Sequence, residues 1–242
     1  KINHIYVQSE SDRKNFKKLT NQTISIMGNL KFDAQLPKDI LKKIKKLKSQ
    51  LRIDKQFVIV VSSTRAGEED IILNFFKRVN LSNIVVIIVP RHPERFSMVS
   101  KIFESYQLPY VRKSALKKLT STPQYILGDS MGELYEYYGL ANLVIMGGSI
   151  KNTGSQNILE PMLLNRPIAV GPSIFNFKNI IEESQKKNLV FRFSKIEELE
   201  GIIFQLIQNR DLEKRIKKRT NIFLKANAGA SKKILKLINQ YF

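Results

Sequence analysis

The run Phe57-Val58-Ile59-Val60-Val61, followed by Ser62-Ser63-Thr64-Arg65-Ala66-Gly67-Glu68-Glu69, decides how the rest of the chain is read. Five consecutive apolar residues lack the alternation of a half-exposed strand, so they read as a strand buried on both faces. A polar loop and a helix-length stretch, about Gly67 to Val79, come next. The same rhythm repeats outward. Apolar runs recur at Ile84 to Val89, Tyr125 to Leu127, Leu143 to Met146, Pro167 to Val170 and Leu189 to Phe193. Between them lie mixed stretches at about Pro93 to Tyr106, Met131 to Tyr138, Gln156 to Leu164, Lys178 to Lys187 and Lys195 to Gln208. Strand and helix in alternation predict an α/β fold, a Rossmann-like parallel sheet flanked by helices. After Arg210 the pattern is helical, and a smaller βαβ-like piece, His4 to Gln8, Ser11 to Leu19 and Thr23 to Ile26, precedes the Gly28-Asn29 connector.

The 242 residues carry 41 Lys+Arg against 21 Asp+Glu, a net charge of +20, with 43% hydrophobic and 26% charged residues. Those proportions are globular and disfavour disorder despite the charge. The absence of cysteine excludes a disulfide framework, thiolate metal sites and cysteine nucleophiles. Two histidines, His4 and His92, leave almost no material for an imidazole metal cluster or a Ser/His triad. The longest aliphatic run, Ile84 to Val89, is far short of a membrane span. The first residue is Lys and no leader-like segment follows, so the start was removed or the chain belongs to a longer one.

The basic surplus is concentrated. Lys38 to Lys55 has eight basic residues against two acids, net +6, and Arg210 to Lys236 has ten against two, net +8. Both carry apolar residues at helical spacing, Ile40, Leu41, Ile44, Leu47 and Leu51 in one and Ile216, Ile222, Phe223, Leu235 and Ile238 in the other. They read first as solvated helical faces. A surface this basic also suits nucleic acid or anionic membrane, but no aromatic-studded or glycine-clamped nucleic-acid motif accompanies it.

In an open parallel sheet, ligands bind at the carboxyl ends of the strands. Those ends carry Pro90-Arg91-His92-Pro93-Glu94-Arg95-Phe96, Gly128-Asp129-Ser130-Met131-Gly132-Glu133-Leu134, and Gly147-Gly148-Ser149 followed by Thr153 to Pro161. Part of this is ordinary local chemistry. Ser130 and Glu133 are spaced as a capping box, and Glu68, Glu69 and Asp70 complement a helix dipole. Gly147 and Gly148 leave room for an anion at a helix start. Glu160, a carboxylate before a proline one turn into a helix, is suited to accept two vicinal ribose hydroxyls. Arg91 is placed to reach a phosphate or a base edge.

Gly28-Asn29-Leu30-Lys31-Phe32-Asp33, Pro90 to Phe96, Asp129 to Leu134, Gly147-Gly148-Ser149, Asn157 to Pro161 and Phe175-Asn176-Phe177 together resemble, in order, the motif series of the bacterial 3-deoxy-D-manno-octulosonic acid (Kdo) transferases. The match runs to about Phe177 and thins into a helical tail. The resemblance implies the C-terminal half of a two-domain GT-B glycosyltransferase. Residues 1–30 are then the end of the N-terminal domain with the connector, and 31–242 the CMP-Kdo-binding domain. It further implies transfer of Kdo from CMP-Kdo to the lipid A precursor, lipid IVA, in lipopolysaccharide core synthesis at the cytoplasmic face of the inner membrane.

In such a protein the nucleotide is held by segments that fall on Pro90 and Arg91, on Met131, Gly132 and Glu133, and on Asn157, Ile158, Leu159 and Glu160. Gly147, Gly148 and Ser149 lie beside the transferred sugar or phosphate. CMP-Kdo is a substrate, and neither a cofactor nor a metal is implied. The general base belongs to the N-terminal domain, so no catalytic residue is expected here, and the isolated chain is expected to bind CMP or CMP-Kdo without turnover. The implied partners are CMP-Kdo, the lipid A precursor through the N-terminal domain, and an anionic membrane surface, but no nucleic acid. Three positions depart from the family, which commonly has histidine where this chain has Arg65, Gln156 and Ser173. Two alternatives are another GT-B enzyme with a different nucleotide sugar, and a basic α/β module that binds nucleic acid.

Overall fold

The computed structural model describes residues 2, 4–79, 82–117 and 119–239. The chain divides into two compact units, Lys1–Leu36 with Asn221–Phe242, and Pro37–Thr220. The smaller unit begins with β1 (His4–Val7), α1 (Glu10–Phe16) and β2 (Thr23–Ile26). The two strands pair in parallel, His4 opposite Thr23 and Val7 opposite Ile26. Ser9 starts α1 by accepting the Asp12 amide at 3.1 Å.

The larger unit runs α2 (Ile40–Gln50), β3 (Phe57–Thr64), α3 (Glu68–Arg78), β4 (Ile84–Pro90), α4 (Phe96–Ser105), β5 (Tyr110–Arg112), β6 (Tyr125–Leu127) and α5 (Leu134–Leu140). It continues with β7 (Leu143–Met146), α6 (Leu159–Leu163), β8 (Ile168–Val170), α7 (Lys178–Lys186), β9 (Val190–Arg192) and α8 (Glu198–Gln208). The boundary with the smaller unit falls within α9 (Arg210–Asn227). Seven strands form one sheet in the order β5-β6-β4-β3-β7-β8-β9, every pairing parallel. Each apolar run singled out above is one of these strands. β5 is the addition, because three half-buried residues, two of them Tyr and Arg, give no buried-strand signature.

The parallel arrangement explains the unbroken apolar runs, since both faces are covered. On one face Ile59, Val61, Ile88 and Ile145 pack with Ile72, Val99, Phe103, Leu199 and Ile203 from α3, α4 and α8. Alternation turns Val58 and Val60, both buried, to the opposite face, where α5 meets β3 and α2 meets α5. Leu47, Tyr137 and Tyr138 of these two helices are fully buried. Each such aliphatic side chain removed from water contributes about 1.5–3 kcal/mol. The basic helices hold to narrower stripes than their composition implies. Ile40, Leu47 and Leu51 are buried, while Leu41 is 74% exposed because it lies about 100° round the helix from Ile40. Ile216 and Phe223, seven residues apart, are likewise buried, whereas Ile222, Leu235 and Ile238 are exposed.

The smaller unit closes with α10 (Ala230–Ile238), and here the Gly28 to Asp33 motif finds its explanation. Asn29 accepts the Lys31 amide at 3.0 Å and so starts a single 3-10 turn, Leu30–Asp33. Phe32 is buried edge-on to Phe223, with ring centroids 5.5 Å apart. Asp33 accepts the amides of Gly229 at 2.5 Å and Ser231 at 2.6 Å, capping α10 from 196 residues away in sequence. These two amides hold its carboxyl below the ordinary aspartate value.

Candidate functional site

The order of the sheet reverses direction beside β3. The chain builds outward from β3 through β4 to β6 and β5, then returns to lay β7, β8 and β9 on the other side. A crevice at the carboxyl ends of β3, β4 and β7 follows from that topology. Backbone contacts knit the three ends together. Gly147 donates its amide to Ser62 at 2.7 Å, and Arg91 donates its own to Thr64 at 3.1 Å. The register of β3 against β4 shifts between Ser62 and Thr64, with Ser63 in the left-handed region at φ 55°. Gly147 is required by this approach, because a Cβ there would sit 2.5 Å from the carbonyl oxygens of Ser62 and Ser63.

The glycine run meets an anion, and the anion is internal. Glu68 is fully buried, and its carboxylate accepts the amides of Arg65 at 2.8 Å, Gly148 at 2.7 Å, Ile150 at 2.9 Å and Lys151 at 3.3 Å. Four main-chain donors make this a satisfied buried charge that ties the β3 loop to the β7 loop. Glu69 is buried as well, accepting from Thr64 Oγ1 and from Arg95 Nη2, both at 2.8 Å. The first-turn acids thus do more than complement a dipole. Ser149 is also fully buried. Its hydroxyl donates to the Met146 carbonyl at 2.5 Å and accepts the Gly171 amide at 2.8 Å, clamping β7 to the exit of β8.

The charge of Arg91 is felt at Glu160. Burial raises the Glu160 carboxyl above its ordinary value, opposed by the hydrogen bond from Asn157 Nδ2 at 3.3 Å and by the Arg91 charge. Tyr135 and Tyr138 border the same carboxylate. Burial first and the Glu160 charge second push the Tyr135 hydroxyl up, and burial pushes Tyr138 up further. Arg91 is exposed and Glu160 half-buried. The neighbouring candidates differ in exposure. Pro90, Ile158 and Leu159 are buried, whereas Met131 is 63% exposed beside Gly132, whose φ is 78°.

Two local expectations are corrected. Ser130 and Glu133 do not form a capping box, because their contact is between side chains, with Glu133 also held by Lys113 Nζ at 3.1 Å. The left-handed turn at Gly132 delays α5 to Leu134. Similarly, α6 begins at Leu159, not Gln156, because Asn157 Oδ1 accepts the Leu159 amide at 3.2 Å. At five residues α6 offers little helix dipole, so any anion here depends on side chains and loop amides.

Sequence reasoning passed over three arrangements. Asp129 is buried against Arg112 Nε at 2.7 Å and takes the Ser114 amide at 2.7 Å; desolvation raises its carboxyl, and the Ser114 and Arg112 bonds more than offset this, holding it below the ordinary value. Arg112 lies on the short strand that carried no signal. Arg65 Nη1 contacts His92 Nε2 at 2.7 Å. Asn176 donates to the Thr153 carbonyl at 3.0 Å while Ser173 Oγ accepts the Gly154 amide at 2.8 Å, so the last motif buttresses the loop before α6. Among the described residues no group of three or more His, Asp and Glu is placed to hold a metal ion, and no helix is long and apolar enough to cross a membrane.

No protein-family model matches the chain. It is 30% identical over 223 residues to the 3-deoxy-D-manno-octulosonic acid transferase of Haemophilus influenzae, covering 91% of this chain and 52% of that protein. To a bifunctional glycosyltransferase/methyltransferase of Fusobacterium nucleatum it is 35% identical over 245 residues, covering 99% and 37%. The chain therefore spans about half the length, or less, of these relatives. Among solved structures it is similar to the C-terminal CMP-Kdo binding domain of WaaA from Acinetobacter baumannii, with 33% identity and a TM-score of 0.72 over 76% of this chain and 97% of that one. HepE of Anabaena, solved with UDP-glucose, shares the fold at 12% identity and a TM-score of 0.61. The parallel sheet flanked by helices is thus that of GT-B glycosyltransferases, as expected. With 33% identity over 97% of that solved CMP-Kdo binding domain and 30% identity to the Haemophilus transferase over 91% of its own length, the chain belongs to the 3-deoxy-D-manno-octulosonic acid transferase family of glycosyltransferases.

Proposed function

We propose that the chain is the donor-binding domain of a Kdo transferase, and that it holds CMP-Kdo in the crevice at the carboxyl ends of β3, β4 and β7. The observation that carries this reading is the half-buried Glu160 carboxyl at the start of α6, hydrogen-bonded by Asn157 Nδ2 at 3.3 Å and within the electrostatic reach of the exposed Arg91. A carboxylate whose charge is opposed by burial and supported by an arginine suits two ribose hydroxyls, while the arginine serves the phosphate or the base. Pro90, Ile158 and Leu159 form the floor, and Met131, Gly132 and Glu133 the adjoining wall. Gly147, Gly148 and Ser149 act by fixing the backbone of the crevice, Ser149 through its hydroxyl bonds to Met146 and Gly171.

The transfer breaks the bond from the sugar's anomeric carbon to the CMP phosphate and forms one to an acceptor oxygen, whose proton goes to a general base. Glu68, Glu69 and Glu133 are each held by protein partners, and Glu160 is assigned to the ribose. In keeping with what the family resemblance implies, the base belongs to the N-terminal half of such enzymes, and this chain alone binds donor without turnover. The acceptor in this reading is the lipid A precursor, lipid IVA. The net charge of +20 suits an anionic inner-membrane surface on the cytoplasmic side. No cofactor enters the chemistry.

Thermal melting with CMP, UDP and GDP tests the donor, because a ligand that binds only the folded state raises its midpoint. CMP is expected to raise it most, and an equal or larger rise with UDP or GDP overturns the assignment. A transfer assay with CMP-Kdo and lipid IVA is expected to give no product with this chain alone. Full transfer by the chain refutes the placement of the base.

A further inference from the structure

We propose that Arg65 binds the carboxylate of the sugar carried by the donor, and so selects an acidic sugar. The inference rests on the donor site described above and assigns a residue that the nucleotide does not use. Arg65 follows β3 directly, and the residue before it accepts the Arg91 amide at 3.1 Å, which places Arg65 on the rim of the same crevice.

Its charge is not neutralised by the protein. The two nearest carboxylates in sequence, Glu68 and Glu69, are buried and committed, one to four amides and the other to Thr64 and Arg95. Among the described residues no carboxylate pairs with Arg65, and its buried Nε has no hydrogen-bond partner. A half-buried guanidinium without a counter-ion is costly, and an anionic ligand offsets that cost.

His92 aims the group. A guanidinium has donors only, so at 2.7 Å Arg65 Nη1 donates to His92 Nε2. His92 therefore orients Arg65 and supplies no counter-charge. Two residues on along the same loop, Lys151 Nζ stands against Gly67, 2.6 Å from where a Cβ there would lie. A donor with a phosphate and a sugar carboxylate brings two anions to this rim. With Arg91 assigned to the nucleotide, the planar fork of Arg65 matches the second, a carboxylate that it can grip in bidentate fashion.

The test is calorimetric titration of CMP and of CMP-Kdo into the protein and its Arg65→Ala, Arg65→Gln and Arg65→Lys variants, with a melting curve for each. Removing the guanidinium is expected to weaken CMP-Kdo about 10-fold more than it weakens CMP, the size of one lost charge-assisted contact. Arg65→Lys is expected to recover part of the difference, and Arg65→Gln supplies the ratio if the alanine variant does not fold. Equal weakening of both ligands, or no change in either, overturns the assignment while leaving the donor site intact. Failure of the unaltered protein to bind CMP overturns the donor site and this inference with it.

Discussion

The amide of Gly148 donates to the buried carboxylate of Glu68 at 2.7 Å, joining two strand-end loops 80 residues apart. Glu68 takes three further amides, so the crevice is built around an internal negative charge. Replacing Glu68 with Ala strands these donors in a buried place. The expected loss is about 3 kcal/mol or more, since each unsatisfied buried donor costs about 1–3 kcal/mol. Urea unfolding of the Glu68→Ala variant measures it, and a loss under about 1 kcal/mol contradicts the assignment.

Two glycines separate close approach from idle flexibility. At Gly147 a Cβ collides with two carbonyl oxygens at 2.5 Å, whereas one at Gly201, in the interior of α8, meets nothing within 4 Å. Gly147→Ala is expected to destabilise by more than about 2 kcal/mol, because backbone rather than a flexible side chain must shift. Gly201→Ala is expected to stabilise by roughly 0.5–1 kcal/mol through helix propensity. Thermal melting of the pair checks both signs.

Asp129 gives a pH dependence of defined direction. Burial raises its carboxyl, but the Ser114 and Arg112 bonds prevail, and the folded value lies below the ordinary 3.8. The unfolded chain therefore takes up the proton first as pH falls. The stability Asp129 contributes is complete above about pH 3.8 and is lost as pH drops through the lower folded value. Asp129→Asn is expected to be less stable at neutral pH and to lose less on acidification below pH 3.8, as read from urea midpoints at several pH values.

The fold was legible because parallel strands buried on both faces leave unbroken apolar runs such as Val58 to Val61 and Ile84 to Val89. β5 escaped because Tyr110, Val111 and Arg112 are half-buried at an edge and too few to show a pattern. For the proposed site, Arg91 and Glu160 stand out in the sequence from their places after a strand and before a proline. The partners of Glu68 do not, because Gly148, Ile150 and Lys151 contribute main-chain amides, which leave no trace in side-chain identity. The loop turns of Gly132 and Asn157 show the same limit, since each moves a helix start by three residues.

The carboxyl of Glu160 is shifted in the opposite direction to that of Asp129. Burial lifts its carboxyl above the ordinary 4.5, with Asn157 and Arg91 opposing, while the bordering Tyr135 and Tyr138 stay neutral. The ionised form is the better acceptor for ribose hydroxyls. CMP affinity is therefore expected to fall as pH drops, beginning above pH 4.5, and this acid limb is expected to vanish in Glu160→Gln. Titrations between pH 4.5 and 8 check it, and an identical limb in the variant contradicts the role.

The measurement that bears most directly on the donor site is calorimetric titration of CMP into the protein and into its Arg91→Ala and Glu160→Gln variants. The expected result is saturable binding by the unaltered protein, weakened about 10-fold or more in each folded variant, the effect of losing a charged hydrogen-bonding partner. No binding of CMP, or binding of equal strength in both variants, contradicts the placement of the nucleotide between Arg91 and Glu160.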